Sequence, residues 1–203
     1  SRSLGKQDFE SVKKSCAFGF WCAVFCGILF SVLCKIFNSP LLNLLGADEI
    51  TLSATKNYVF YTVICGAVPS ITSMVTAYLF RAEGSSVHAS IGLTGGCILN
   101  IILDPFFILP AETIPFGLGM GAAGAGFATL LANVFSCVYF LAVILIKRGK
   151  TFVCINPKYF CFDKKIVSEV CGVGIPASIQ NLLNVVGMTL FNNLTAASGE
   201  IAV

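Results

Sequence analysis

The apolar positions of this chain gather into five long runs that are separated by shorter polar stretches. Each run is at least as long as the roughly 20 residues that a helix needs to cross the hydrocarbon core of a bilayer. The runs are Cys16–Phe37, Asn57–Phe80, Val87–Leu109, Gly119–Ile146 and Ile166–Ser198. This pattern predicts an all-α, polytopic membrane protein with five transmembrane helices in these 203 residues.

Composition supports the same class of protein. Hydrophobic residues make up 56% of the chain and charged residues only 11%, less than half the charged share of an ordinary soluble domain. We therefore expect a multi-pass protein of the cell membrane, plasma or inner, whose main surroundings are the lipid bilayer.

The basic residues predict the orientation, because cytoplasmic loops carry an excess of Lys and Arg. Four of the thirteen lie in residues 1–15, one is Arg81, and six lie in Lys147–Lys165. These stretches are alternate connections before and between the predicted helices and therefore share one face of the membrane. We expect that face to be cytoplasmic. The net charge of +3 is thus a topological signal, and no nucleic-acid partner is expected.

Three prolines lie inside the apolar runs and predict kinked helices. Pro69, Pro105 and Pro176 each remove one backbone hydrogen bond about a turn earlier in the helix. A freed carbonyl group inside a membrane needs another partner. Such breaks indicate working helices rather than inert anchors.

The stretch LNIILDPFFILP, Leu99–Pro110, places a carboxylate, Asp104, in an otherwise apolar run. An aspartate at the centre of a membrane helix costs about 2.5 to 3.5 kcal/mol on insertion scales, which makes Asp104 the first candidate for a functional role. Asn100 precedes it by one turn and shares its helix face. An amide oxygen beside a carboxylate suits either a proton or Na⁺, so Na⁺ at Asp104 is the metal ion that we consider.

Polar residues also form stripes on the last two predicted helices. Thr129 lies on one stripe, and Gln180, Asn181, Asn184 and Asn192 fall within an arc of about 120° at 100° per residue on the other. These side chains either line a cavity or tie helices together, at about 0.6 to 2 kcal/mol each. Their residue types alone leave both alternatives open.

Three further features have simpler interpretations. The ten cysteines include no CxxC pair and are expected to act as small apolar residues, without a bound metal or cofactor. Gly119, Gly121 and Gly124 match a dinucleotide fingerprint formally, but no strand precedes them, and we expect close helix packing instead. His88 is expected to be a solvated loop residue without a catalytic role.

Five short motifs follow one another along the chain. They are SRSLG at Ser1–Gly5, YLFRAEG at Tyr78–Gly84, LNIILDPFFI at Leu99–Ile108, GAAGAGFAT at Gly121–Thr129 and GIPASIQNLL at Gly174–Leu183. Together they resemble the multidrug and toxic compound extrusion (MATE) transporters. The resemblance implies a twelve-helix fold of two six-helix lobes. This chain would be a fragment running from the end of the second helix to the seventh, with residues 1–164 as most of the N-lobe and residues 165–203 as the start of the C-lobe.

The resemblance also implies a site and an activity. Matching the motifs places a cation site at Asn100, Asp104 and Thr129, completed by an aspartate of the first helix, which lies outside this chain. The implied activity is H⁺- or Na⁺-coupled antiport of drug-like, often cationic compounds by a monomer, with the substrate against the stripe that runs from Gln180 to Asn192. A well-known branch of the family carries an acidic residue midway along its seventh helix. This sequence has none in the corresponding region and in this respect resembles the DinF-like branch.

Two rival functions remain in view. A lipid-precursor or polysaccharide flippase of the same superfamily would share the fold but is expected to show cationic residues inside the cavity, and none lies well inside these runs. A membrane-embedded enzyme would need a nucleophile with a base, or an acid pair with a histidine, and a lone Asp104 supplies neither. We therefore expect a transporter and not an enzyme.

Overall fold

A computed structural model of the chain describes residues 8–44, 52–112, 116–147, 151 and 153–197. In these ranges the chain is helical, and its β-structure is limited to an isolated bridge between Pro110 and Leu118. The helices are α1 Phe9–Ile36, α2 Asn38–Leu44, α3 Leu52–Val59, α4 Ala67–Ala82, α5 Ser86–Ile108, α6 Ala122–Ile146 and α7 Lys164–Ala197. A π-helical turn, Phe60–Cys65, joins α3 to α4, and a 3₁₀ turn, Pro157–Tyr159, precedes α7.

The apolar runs correspond to helices that can cross a membrane. Among the described residues, four single helices are long and apolar enough, and the bent pair Leu52–Cys65 and Ala67–Ala82 makes a fifth if it counts as one span. The chain is thus an all-α, multi-pass membrane protein. It divides into two compact units, Ser1–Phe160 and Cys161–Val203, while the lobe boundary that we expected between residues 164 and 165 remains a prediction.

The first helix begins seven residues earlier than the apolar run indicated. Asp8 caps it, accepting a hydrogen bond from the backbone N–H of Ser11 at 3.2 Å, and Glu10 pairs with Lys14 at 2.8 Å one turn later. Hydropathy could not reveal this first part of the helix, because capping residues and ion pairs are polar and extend a helix into water.

The second run forms a broken helix. Its two halves meet at 49°, and the break lies at Gly66, three residues before Pro69, whose ring leaves the carbonyl of Cys65 without its helical donor. The hydroxyl of Ser31 in α1 donates to the carbonyl of Ile64 beside the break. The neighbouring helix thus supplies a partner for the irregular backbone.

The other two prolines lie inside continuous helices. Helix α5 continues through Pro105 to Ile108, and α7 continues through Pro176. The kinks predicted at these two positions remain predictions.

Helices α5 and α6 pack closely through small residues. The hydroxyl of Ser136 donates to the carbonyl of Gly92 at 2.9 Å, and a Cβ atom at Gly96 would lie 3.1 Å from the carbonyl oxygen of Ala132. A buried apolar core lies near the C-terminal ends of α4 and α6 and the N-terminal end of α5. It joins these helices to the segment after α6. Its members are Ala77, Phe80, Ala89, Phe140, Val143, Ile144 and Val153.

Candidate cation and substrate site

The centre of the candidate site is a side-chain pair on α5. The amide nitrogen of Asn100 donates to Oδ1 of Asp104 at 3.2 Å, because residues four apart are neighbours on a helix surface. Both side chains are half-buried. The contact brings an amide and a carboxylate together inside a predicted membrane span, and ion binding by the pair remains a prediction.

Thr129 of α6 lies at about the same height as this pair. The two helices are antiparallel, and their contacts pair Phe107 with Gly124 near one end and Gly96 with Ser136 further along. Thr129 falls between these two levels. The fold therefore places Thr129, the third residue of the predicted cation site, at the same level along the helices as Asn100 and Asp104.

The hydroxyl group of Thr129 is already used as a donor. It donates to the carbonyl of Ala125, one turn earlier in α6, at 2.9 Å. A hydroxyl has one proton and two lone pairs. Toward a cation, Thr129 would therefore act only through its oxygen lone pairs.

An aromatic cluster lies at the same end of α5 and α6, and our reading of the sequence did not single it out. The ring of Phe127 makes edge contacts with Phe107, at a centroid distance of 5.2 Å, and with Tyr61, at 5.5 Å. Tyr61 in turn contacts Phe60 at 5.3 Å. Phe107 lies three residues after Asp104, and Phe127 lies two residues before Thr129. This closeness along the sequence was the only signal of the aromatic cluster.

The glycine motif before α6 has two roles rather than the single role that we predicted. Gly119 and Gly121 precede the helix and have positive φ angles of 62° and 56°, which glycine adopts without strain. Gly124 packs as expected, since an added Cβ atom would lie 2.6 Å from the carbonyl carbon of Phe107. The helix consequently begins at Ala122, three residues later than the apolar run.

The polar stripe of the last helix belongs to the second unit. Gln180, Asn181 and Asn184 lie on α7, and each is exposed. The side chain of Asn192 lies outside the described residues. The cavity that these four residues would line remains a prediction.

The expectation that His88 is a solvated loop residue was wrong. His88 is the third residue of α5 and is half-buried, with Nε2 at 2.6 Å from Nζ of Lys147 and Nδ1 at 3.3 Å from the hydroxyl of Tyr139. An ammonium group only donates, so Nε2 is the acceptor in the contact with Lys147. The partners lie 51 and 59 residues away in sequence, which is why local sequence context did not reveal them.

Comparison with known proteins gives a consistent result. Residues 1–106 match the family model MatE. The chain is 28% identical over 203 residues to the multidrug export protein MepA of Staphylococcus aureus (strain bovine RF122 / ET3-1), and 26% identical over 204 residues to that of Staphylococcus haemolyticus (strain JCSC1435). Each alignment covers 100% of this chain and 43% of the relative, so the chain spans less than half the length of these relatives.

Solved structures show the same likeness. An outward-facing conformation of a multidrug resistance MATE family transporter of the MOP superfamily aligns with a TM-score of 0.85 and 25% identity, covering 98% of this chain and 42% of that one. An inward-facing conformation aligns with a TM-score of 0.76 and 25% identity over 88% of this chain and 38% of the other. The fold is therefore that of part of a MATE transporter.

Proposed function

Because this chain belongs to the MatE family, we propose that the whole protein is an antiporter that uses an H⁺ or Na⁺ gradient to export drug-like or toxic organic compounds. The chain spans 43% of the multidrug export relatives, so the proposal concerns the full-length protein. It works as a monomer by alternating access and needs no cofactor besides the coupling ion.

The observation that carries the coupling proposal is the contact between Asn100 and Asp104. The pair lies in a helix that is long and apolar enough to cross a membrane, where a carboxylate is costly unless it has a function or a partner. A single neutral amide does not neutralise the carboxylate. A proton or Na⁺ bound at Asp104 would do so, with oxygens of Asn100 and Thr129 as further ligands.

The ion would act by changing the balance between two conformations. A bound ion shifts such a balance only as far as its affinity differs between the two states. The broken helix at Gly66 and the proline at Pro105 are places where the bundle can change shape at low cost. Ion entry from outside would favour a closed outer side and so drive release of the bound compound.

The substrate would be a small organic compound, often cationic, that contacts the stripe of α7. Gln180, Asn181, Asn184 and Asn192 offer amide groups on one face of that helix, and the rest of the cavity would come from helices outside this chain. The sequence contains no acid between Glu169 and Glu200. This supports assignment to the DinF-like branch, with the cation site confined to the N-lobe.

The test is transport by the purified full-length protein in liposomes. A cationic dye such as ethidium would be followed with a pH gradient alone, a Na⁺ gradient alone, or neither. We expect one gradient to accelerate dye movement against its concentration, and protein-free liposomes are the control. Equal rates in all three conditions would contradict coupling, and no dye movement in any condition would contradict export of organic cations.

A further inference from the structure

The segment after α6, which we expected to be a basic cytoplasmic loop, packs against the helices of the first unit. We call residues 151 and 153–160 the clasp. Val153 of the clasp is only 3% exposed and belongs to the buried core with Phe80 and Phe140. A residue buried this deeply fixes the backbone around it, because exposing it again would return its apolar surface to water.

Polar contacts hold the clasp on two sides. The hydroxyl of Thr151 donates to Oε2 of Glu83, just after α4, at 2.7 Å. The indole N–H of Trp21 in α1 donates to the carbonyl of Ile155 at 3.1 Å. The clasp is therefore attached both to α1 and to the end of α4.

Ring contacts extend the attachment along α1 to the end of the clasp. Phe160 stacks on Phe18 with ring centroids 5.9 Å apart and 19° between the planes. The ammonium group of Lys13 lies 6.0 Å from the ring centroid of Tyr159. The clasp thus stays in contact with the first unit up to its last residue, and α7 begins only four residues later, at Lys164.

We propose that the clasp is a fixed part of the N-lobe and that the hinge between the lobes is confined to Cys161–Asp163. The proposal rests on the proposed function, since a hinge matters only if the lobes move against each other during transport. A hinge of three residues must take up the motion in a few backbone torsions. If the whole of Lys147–Lys165 were a free loop instead, the connection would not restrict how one lobe moves against the other.

The structural experiment is hydrogen exchange on the full-length protein in detergent. We expect the backbone amides of residues 153–156 and 158–160 to exchange slowly in the wild type; residue 157 is a proline and has none. Trp21→Phe keeps an aromatic ring but removes the donor, and it should speed their exchange about fivefold. Val153→Ala should speed it about tenfold or more, whereas Phe191→Ala in the second unit should leave it unchanged. Rapid exchange of these amides in the wild type would overturn the clasp whether or not the protein transports drugs.

The functional experiment uses two insertions of the same length. Four residues, Gly-Ser-Gly-Ser, would be inserted either between Gly149 and Lys150, ahead of the clasp, or between Phe162 and Asp163, in the hinge. Both lengthen the connection between α6 and α7 equally, and exchange of residues 153–160 should remain slow in both. We expect the hinge insertion to slow dye transport about tenfold and the insertion ahead of the clasp to change it less than twofold.

Two results would overturn the hinge. One is equal transport by the two insertion variants at equal expression. The other is a greater loss from the insertion ahead of the clasp while hydrogen exchange shows the clasp still attached. A wild type that moves no dye under either gradient would remove the proposed function and the hinge that depends on it, whereas attachment of the clasp would still be decided by hydrogen exchange.

Discussion

The amide nitrogen of Asn100 lies 3.2 Å from Oδ1 of Asp104 across one turn of α5. The contact is local, so it forms whenever this part of the chain is helical. It orients the carboxylate but contributes no charge to balance it, which distinguishes a candidate ion site from a structural ion pair. The first prediction concerns this carboxylate.

Replacing Asp104 by Asn should preserve the fold and abolish gradient-driven transport. The amide has nearly the same size and is cheaper to bury than a carboxylate, but it cannot exchange a proton or neutralise Na⁺. Dye efflux and the amount of protein in the membrane would be measured on the same samples. Asn100→Ala and Thr129→Ala are the companion variants, and they should weaken coupling less because the charge remains.

The alternative is that Asp104 only ties helices together. In that case Asp104→Asn would transport near the wild-type rate, or would lose transport in proportion to the protein lost from the membrane. Full efflux by a well-expressed Asp104→Asn protein would refute the site.

The second prediction concerns the stripe of α7. In a full-length background without the ten cysteines of this chain, a cysteine placed at Asn184 should react with a membrane-impermeant thiol reagent. Leu182→Cys is the matched control, because it lies about 160° away around the same helix and should face lipid. Equal labelling of the two positions, or labelling of position 184 only by a lipid-soluble reagent, would argue against a water-filled cavity there. Asn184→Leu should change dye efflux without reducing expression.

The third prediction concerns the contacts of His88. Its replacement by Leu removes the partner of both Lys147 and Tyr139 and should lower the free energy of unfolding by about 1 to 3 kcal/mol. Glutamine can still accept from Lys147, so His88→Gln should lose less. Thermal unfolding of the purified full-length protein would measure both variants, and an unchanged melting temperature for His88→Leu would show that the contacts contribute nothing.

The fourth prediction tests the close packing of α5 on α6. A Cβ atom at Gly96 would lie 3.1 Å from the carbonyl oxygen of Ala132 and still closer to the hydroxyl of Ser136, so in Gly96→Ala this hydroxyl must turn away from its hydrogen bond with Gly92 or the helices must shift. We expect a loss of about 1 to 3 kcal/mol in stability, again followed by thermal unfolding. Gly19→Ala is the control, because no atom lies within 4 Å of its added Cβ and alanine favours the helix. Similar melting temperatures for the two variants would contradict the packing argument.

The features that the sequence predicted correctly depend on neighbouring residues. A membrane span is defined by its length and its hydropathy, which is why the runs beginning at Val87 and Ile166 correspond to helices within two residues at each end. The shared face of Asn100 and Asp104 follows from the helical repeat alone. The family resemblance depended on motifs of five to ten residues, and the comparisons confirm it.

Other features depend on residues far apart in sequence, and only the tertiary structure decided them. The partners of His88, the packing of Phe127 between Phe107 and Tyr61, and the burial of Val153 against Phe80 all join different elements. The sequence predicts Lys147–Lys165 as a basic cytoplasmic loop, because six of its residues are Lys or Arg. The tertiary structure adds that the clasp is held against α1, α4 and α6 by the burial of Val153, two hydrogen bonds and ring contacts along α1, because helices far apart in sequence together form a surface that fits it.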